Sequence, residues 1–397
     1  MPPAKVRRKI LFVTGTRADF GKIKPLIRMV RDSEEFEYQI FATGMHMLAM
    51  YGMTVNEIRK AGFENVHAFI NQDSAISAQM DLVLANTIQG LAHYVREYRP
   101  DLIVVHGDRV EAMAGAIVGA LNNILVAHVE GGELSGTIDE LIRHAISKLS
   151  HIHFVSNAEA RNRLVQMGEM PETVFVIGSP DIDVMLSDSL PSLAEVRKKY
   201  AIPFREYAIF TYHPVTTELD RLPACIRAVV DALIESGRNY VVIYPNNDAG
   251  AEAILKELER LEGNPHVRSI PSMRFEYFLT LLKHAQVVVG NSSVGIREAP
   301  VYGVPSVNIG SRQKDRFHYA SIVDVPDDRQ AILAALEHLP HSVKPSLHFG
   351  KGESARLFIR QLRDEQLWNI SRQKQFQDVD FIDELLEGPS SGPAEKP

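Results

Sequence analysis

The sequence has a single cysteine, Cys225, among 397 residues. That excludes an intramolecular disulfide and any cysteine-built zinc site, and it suits a reducing compartment. No stretch approaches the roughly 18 consecutive apolar residues that a helix needs to cross a bilayer. The basic start, Met1–Lys9 with Pro2 and Pro3, is not followed by the apolar run of a secretory signal. An excess of positive charge is missing too. Lys and Arg number 43 against 50 Asp and Glu, for a formal charge of −7, whereas dedicated nucleic-acid binders carry net positive charge to meet phosphate. The expectation is a cytoplasmic protein with neither a nucleic-acid nor a membrane partner.

What is present is a globular composition, 45% apolar and 23% charged, which excludes wholesale disorder. The length predicts two domains at about 150 residues each. Short runs rich in Ile, Val and Phe predict strands at Ile10–Thr14, Tyr38–Ala42, Leu102–His106, Leu125–Val129, Ile152–Val155 and Val174–Ile177. Helix-period segments such as Ile23–Arg31, Gln79–Tyr98 and Val110–Leu121 lie between them. The second half repeats the scheme with strands at Ala208–Thr211, Tyr240–Ile243, Val267–Ser269, Val287–Val289 and Ser306–Ile309. Such alternation predicts an α/β chain of two doubly wound, Rossmann-like domains with parallel sheets and a cleft between them. The domains are expected at residues 1–185 and 186–375, with a last helix near 353–366 packing back across them. Residues 376–397 are expected to be a flexible tail, ending in the disorder-prone segment from Gly388.

Ligands of such sheets bind at the carboxyl ends of the strands. The first strand runs into VTGTRADFGK, where Gly15 permits a tight turn and Arg17 and Lys22 bring charge. A glycine loop feeding a helix N-terminus suits a phosphate; an ordinary strand-to-helix turn is the plain alternative. It is not a Walker A loop, because five residues separate Gly15 from Gly21 and Ile23 stands where Ser or Thr would hold magnesium. No G-x-G-x-x-G occurs in it either, so no nicotinamide cofactor is implied.

HGDR and HVEGGE put Asp108 and Glu130 at adjacent strand ends, with Asp139 nine residues beyond Glu130. Carboxylates so placed can form a general acid/base set. Two alternatives stay open: Asp108 and Asp139 as helix N-caps, or His106, Asp108, His128 and Glu130 as a divalent metal site. Against the metal, both histidines lie at the buried ends of apolar strands. In the second half, YHP fixes His213 beside Pro214 at a strand end, where it can meet a phosphate or a leaving oxygen. GNSSVGIREAP offers the Ser292 and Ser293 hydroxyls at a helix start, although a helix start needs a serine cap in any case. Glu298 follows about a turn later in a small, apolar segment, placed to accept from ribose hydroxyls.

Taken in order, VTGTRADFGK, TGMH, HGDR, HVEGGE with Asp139, YHP and GNSSVGIREAP resemble the UDP-N-acetylglucosamine 2-epimerases across roughly residues 9–370. The hydrolysing branch of sialic-acid-type synthesis is the nearer match. Where the other branch usually has E-A-G-L-R, this chain has Glu130-Gly131-Gly132-Glu133-Leu134. The resemblance implies a glycosyltransferase-B-like fold, a cleft active site and a nucleotide held mainly by the second domain. It implies acid/base roles for Asp108, Glu130 and Asp139, and diphosphate contacts for Arg17, His213, Ser292 and Ser293. His213 is thereby also placed beside the reacting bond. Glu298 is implied at the ribose, and Lys22 and His46 match further cleft positions. No metal or other cofactor is called for. The implied substrate is UDP-GlcNAc or a related sugar nucleotide, and by analogy the chain is expected to form a homodimer or homotetramer. A glycosyltransferase of the same fold, or a hydrolysing 2-epimerase for another sugar or for a GDP carrier, is the competing reading.

Overall fold

The computed structural model describes residues 7–72, 79–246, 248–375 and 377–378. The apolar runs of the first half become seven strands: β1 Arg8–Thr14, β2 Phe36–Ala42, β3 Val66–Ala68, β4 Leu102–His106, β5 Leu125–Val129, β6 Ile152–Val155 and β7 Val174–Val176. They form one parallel sheet in the order β3-β2-β1-β4-β5-β6-β7. Every residue of β4 and β5 is buried, as their continuous apolar runs require of strands covered on both faces. The second half supplies β8 Ala208–Thr211, β9 Tyr240–Ile243, β10 Val267–Ile270, β11 Val288–Gly290, β12 Ser306–Ile309 and β13 Ile322–Val325. These too are parallel, in the order β10-β9-β8-β11-β12-β13. The α/β architecture of two doubly wound sheets is therefore as expected. Strands β3 and β13 were not foreseen. Neither is fully buried, so neither needs the unbroken apolar run that betrays a central strand.

Helix Arg17–Arg31 begins six residues before the expected Ile23. The reason is local: the Thr16 hydroxyl accepts from the Asp19 N–H at 3.1 Å and caps the helix. Phe20, Ile23, Leu26, Ile27 and Val30 then face the core, each buried aliphatic side chain contributing about 1.5–3 kcal/mol relative to exposure. The late helix Ser354–Leu362 lies on the first sheet, where Phe358 packs edge-on to Phe154 at 4.9 Å between ring centroids. Among the described residues no helix is long and apolar enough to cross a membrane. The tail expected from residue 376 lies outside the described residues apart from 377 and 378.

In each sheet the strand order reverses beside the first strand of that half, between β1 and β4 and between β8 and β11. Such switch points leave a crevice at the carboxyl ends of the strands. The two crevices face each other and enclose one cavity of about 380 Å³.

Candidate active site

Arg17, Lys22, Asp108, Glu130, Asp139, His213, Ser292, Ser293 and Glu298 all line this cavity. His46 does not, which corrects its expected place among the substrate contacts. It is fully buried beneath the cavity wall, with its ring nitrogens on Thr14 Oγ1 at 3.2 Å and Thr54 Oγ1 at 2.7 Å. Burial pushes its pKa down to about 4, so it stays neutral and buttresses the β1 turn.

The carboxylates come from the first half. Asp108 follows β4 and pairs with Arg143. Burial pushes its carboxyl up, but Arg143, with Arg316 and Arg312 behind it, pulls it below the usual carboxylate range. Asp139 sits in the first turn of helix Ile138–Leu149 and meets Arg312 at 3.2 Å. Burial and the neighbouring Asp108 hold its pKa above the ordinary value. Neither aspartate is an N-cap. Arg109 precedes helix Val110–Leu121, and the Thr137 hydroxyl caps the Asp139 helix.

Glu130 occupies the left-handed region, at φ +65°. Its Oε1 accepts from Ser179 Oγ at 2.5 Å and lies 2.8 Å from Arg297 Nη2. Its Oε2 lies 3.3 Å from His106 Nε2, while His106 Nδ1 lies 2.8 Å from Asp19 Oδ1. Burial opposes charge on that imidazole, yet the two flanking carboxylates raise its pKa to about 10. Glu130 is correspondingly held well below the carboxylate range, Arg297 and His106 overcoming the cost of burial. The second histidine, His128, is a core residue: Ser147 Oγ and the Gly107 carbonyl satisfy its ring at 2.9 and 2.8 Å. Among the described residues no cluster of three His, Cys, Asp or Glu side chains is arranged to hold a metal ion.

The second half provides the opposite wall. Asn291 accepts from the His213 N–H at 2.7 Å and donates to its carbonyl at 2.8 Å, tying the end of β8 to the end of β11. Gly290 makes that approach possible. It lies at φ +131°, and a Cβ there would fall 1.9 Å from the Thr211 carbonyl oxygen. His213 Nδ1 lies 3.2 Å from both the backbone nitrogen and Oδ1 of Asn246, and Nε2 lies 3.4 Å from Thr211 Oγ1. Burial, then Arg312, pushes this histidine down to about 3, so the ring is neutral. The Ser292 hydroxyl caps the short turn Ser293–Gly295, as the ordinary reading of a helix-start serine required. Arg17 reaches Glu57 at 2.8 Å and Ser272 at 2.7 Å. Lys22 is already paired, 2.7 Å from Glu298 Oε1 and 3.2 Å from Asp181 Oδ2. Glu298 Oε2 is buried without a hydrogen-bond partner among the described residues, available to a ligand hydroxyl.

Asp19, Asn291, Arg297, Arg312 and Arg316 complete the site, and sequence reading did not single them out. Arg312 and Arg316 stand in GSRQKDRFH, which reads as a solvated loop, and Arg297 was overshadowed by Glu298 beside it. The arrangement is a basic wall from the second half paired with carboxylates of differing acidity from the first.

Comparison with known proteins decides the family. The family model described as UDP-N-acetylglucosamine 2-epimerase matches residues 28–363. A UDP-N-acetylglucosamine 2-epimerase of Neisseria meningitidis serogroup B is 46% identical over 379 residues, covering 94% of this chain and all of that one. The chain belongs to the UDP-N-acetylglucosamine 2-epimerase family. A second relative of this 2-epimerase, from Legionella pneumophila, is 35% identical over 88% of this chain and 93% of its own; it is named a hydrolysing UDP-N,N'-diacetylbacillosamine 2-epimerase. The crystal structure of a Neisseria meningitidis UDP-GlcNAc 2-epimerase bound to UDP-GlcNAc superimposes with a TM-score of 0.75 at 18% identity, covering 89% of this chain and 99% of that one. The epimerase fold is thus the glycosyltransferase-B-like pair of sheets.

Proposed function

We propose that the protein is a hydrolysing UDP-N-acetylglucosamine 2-epimerase, converting UDP-GlcNAc and water into ManNAc and UDP for sialic-acid-type synthesis. The observation that carries this reading is the single cavity in which Asp108, Glu130 and Asp139 face His213, the Ser292–Ser293 turn and the arginines. The hydrogen on C2 of the sugar is barely acidic, since no carbonyl activates it directly. Its removal becomes feasible only as the C1–O bond to UDP breaks and the electron pair leaves on the β-phosphate oxygen. That step asks for a carboxylate near C2 and for fixed donors at the diphosphate. Arg17, neutral His213 and the Ser292 and Ser293 groups serve as those donors, and Glu298 Oε2 takes a ribose hydroxyl. Anti elimination gives 2-acetamidoglucal. Water then adds its oxygen to C1, and a proton reaches C2 from the opposite face. Among the three carboxylates, Asp139 is the one most ready to take up a proton, because burial and Asp108 weaken its acidity while Asp108 and Glu130 are held as anions. By analogy with the family, the proposal extends to a cytoplasmic homo-oligomer.

Turnover in D2O, followed by proton NMR, tests the chemistry. Deuterium is expected at C2 of the ManNAc released, and in heavy-oxygen water the label is expected on the sugar, with UDP unlabelled. ManNAc carrying its original C2 hydrogen would sink the elimination. Release of UDP-ManNAc intact would place the enzyme in the non-hydrolysing branch. A second reading keeps this chemistry and changes the sugar. The Legionella relative's name and the apolar stretch of cavity wall from Met45, Met80 and Val83 favour a 6-deoxy-4-acetamido sugar. Offering both sugar nucleotides in the same assay separates the two.

A further inference from the structure

Arg297 belongs to the second half, yet its guanidinium lies in the first. It is only 2% exposed and stacks on Phe349 with its carbon 4.7 Å from the ring centroid. Nη2 meets Glu130 Oε1 at 2.8 Å and also donates to Ser179 Oγ; Nη1 donates to Glu133 Oε2. Glu133 does not line the cavity. It is held by the Ser156 hydroxyl at 2.8 Å and by Arg316 at 3.3 Å. One residue on, Glu298 turns to the cavity and to Lys22. Consecutive residues of the segment after β11 therefore pair with two charged residues of the first half, Glu130 and Lys22.

We propose that Arg297 is a positioning residue that crosses between the halves, fixes the Glu130 carboxylate in its reacting orientation, and is itself anchored by Glu133. The acid/base set is then complete only while the segment after β11 is docked on the first half. Planar, two-pronged donation suits this task, because one guanidinium can hold two carboxylates at once. Without it, Glu130 keeps a left-handed backbone and the Ser179 and His106 contacts, but loses the cation that fixes Oε1. The inference rests on the reading of Glu130 as a reacting carboxylate. The charged groups facing Glu130 are His106 from β4, Lys22 from helix Arg17–Arg31, Asp181 from helix Pro180–Met185, Arg297, and Glu133 in its own loop.

Arg297→Gln, Arg297→Lys and Glu133→Gln test it in the full chain, with UDP binding and thermal midpoint measured alongside. Arg297→Gln is expected to lower kcat by about 100-fold, the usual effect of misplacing a reacting group, with UDP affinity kept. It should also move the acid limb of the kcat profile to higher pH, because Glu130 is then protonated more easily. Arg297→Lys should return the limb to its place while leaving kcat at least about tenfold low, since an ammonium lacks the second prong. Glu133→Gln should lower kcat less than Arg297→Gln and spare UDP binding. A uniform loss of kcat with an unmoved limb in Arg297→Gln would reduce Arg297 to a structural residue. If Arg297→Gln does not fold, wild-type kcat in Arg297→Lys overturns the proposal. A readout free of turnover is the infrared carboxylate band lost in Glu130→Gln, which should titrate at higher pH when Arg297 is replaced. Wild-type protein that released no ManNAc would sink the hydrolysing reading, and the band titration would still judge Arg297.

Discussion

Histidines at similar depth around one site differ in charge, two neutral and one cationic, and the reason is the company each keeps. The rings of His46 and His128 hydrogen-bond only to neutral groups, so burial dominates, nearby cations add to it, and their pKa values fall to about 4 and about 3. His106 is buried just as deeply but lies between Asp19 and Glu130, and its pKa rises to about 10. The consequences for stability have opposite signs. Below about pH 6.5 the unfolded chain protonates histidines that folded His46 and His128 keep neutral, so stability falls with pH by about 1.4 kcal/mol per pH unit for each group. The contribution of His106 is complete below that pH and is lost as pH rises through about 10. His128→Gln, in a urea series between about pH 4 and 5.5, should flatten the slope of stability by about 1.4 kcal/mol per pH unit. An unchanged slope would mean that His128 is charged in the folded protein. HGD and HVE looked alike in sequence, and only the neighbours contributed by the rest of the chain separate the site histidine from the core histidine.

At the scale of elements, the central strands and most helix starts were legible: the helix at Val110–Leu121 has the bounds expected of it, whereas the first helix starts at Arg17 and not at Ile23. Central strands announce themselves by unbroken apolar runs, because burial on both faces leaves no polar position. A helix start depends on one cap. Thr16 and Thr137 each supply it through a hydroxyl, and the polar, glycine-containing segments around them read as loops. Thr137 carries functional weight, since the turn it caps presents Asp139. Thr137→Ala is expected to cost about 1 kcal/mol of stability, the usual effect of losing a threonine cap. Its effect on kcat should be larger than that cost implies, as Asp139 shifts relative to Arg312 when the first turn frays. Thr137→Ser retains the hydroxyl and should restore both quantities. Equal kinetics for the alanine and serine variants would show that Asp139 is placed by Arg312 alone.

The whole molecule adds what no local pattern contains: the fit of one half against the other. The ion pairs that close the cavity join residues far apart in sequence, Lys22 with Glu298, Arg297 with Glu130 and Arg312 with Asp139. The two halves and a cleft between them could be anticipated from the alternation of strand and helix, but not which side chains pair across it. The seam is close-packed at backbone level. The Gly136 N–H donates to the Arg312 carbonyl at 3.1 Å, and a Cβ on Gly136 would lie 2.3 Å from the Ser311 carbonyl oxygen and 2.9 Å from that of Arg312. A methyl group there meets main-chain atoms, which cannot swing aside as a side chain would. Gly136→Ala should therefore wedge the halves apart while leaving each sheet and its core intact. The expected result is a thermal midpoint near that of the parent, a larger radius of gyration in small-angle scattering, and kcat/KM lower by about 100-fold, because Asp139 and the donors of the opposite wall no longer meet around one substrate. UDP should fail to restore the parental scattering curve, since the obstruction lies in the seam and not in the nucleotide contacts. Parental scattering together with parental kinetics would mean that the 310–312 loop yields locally and that the seam does not govern closure.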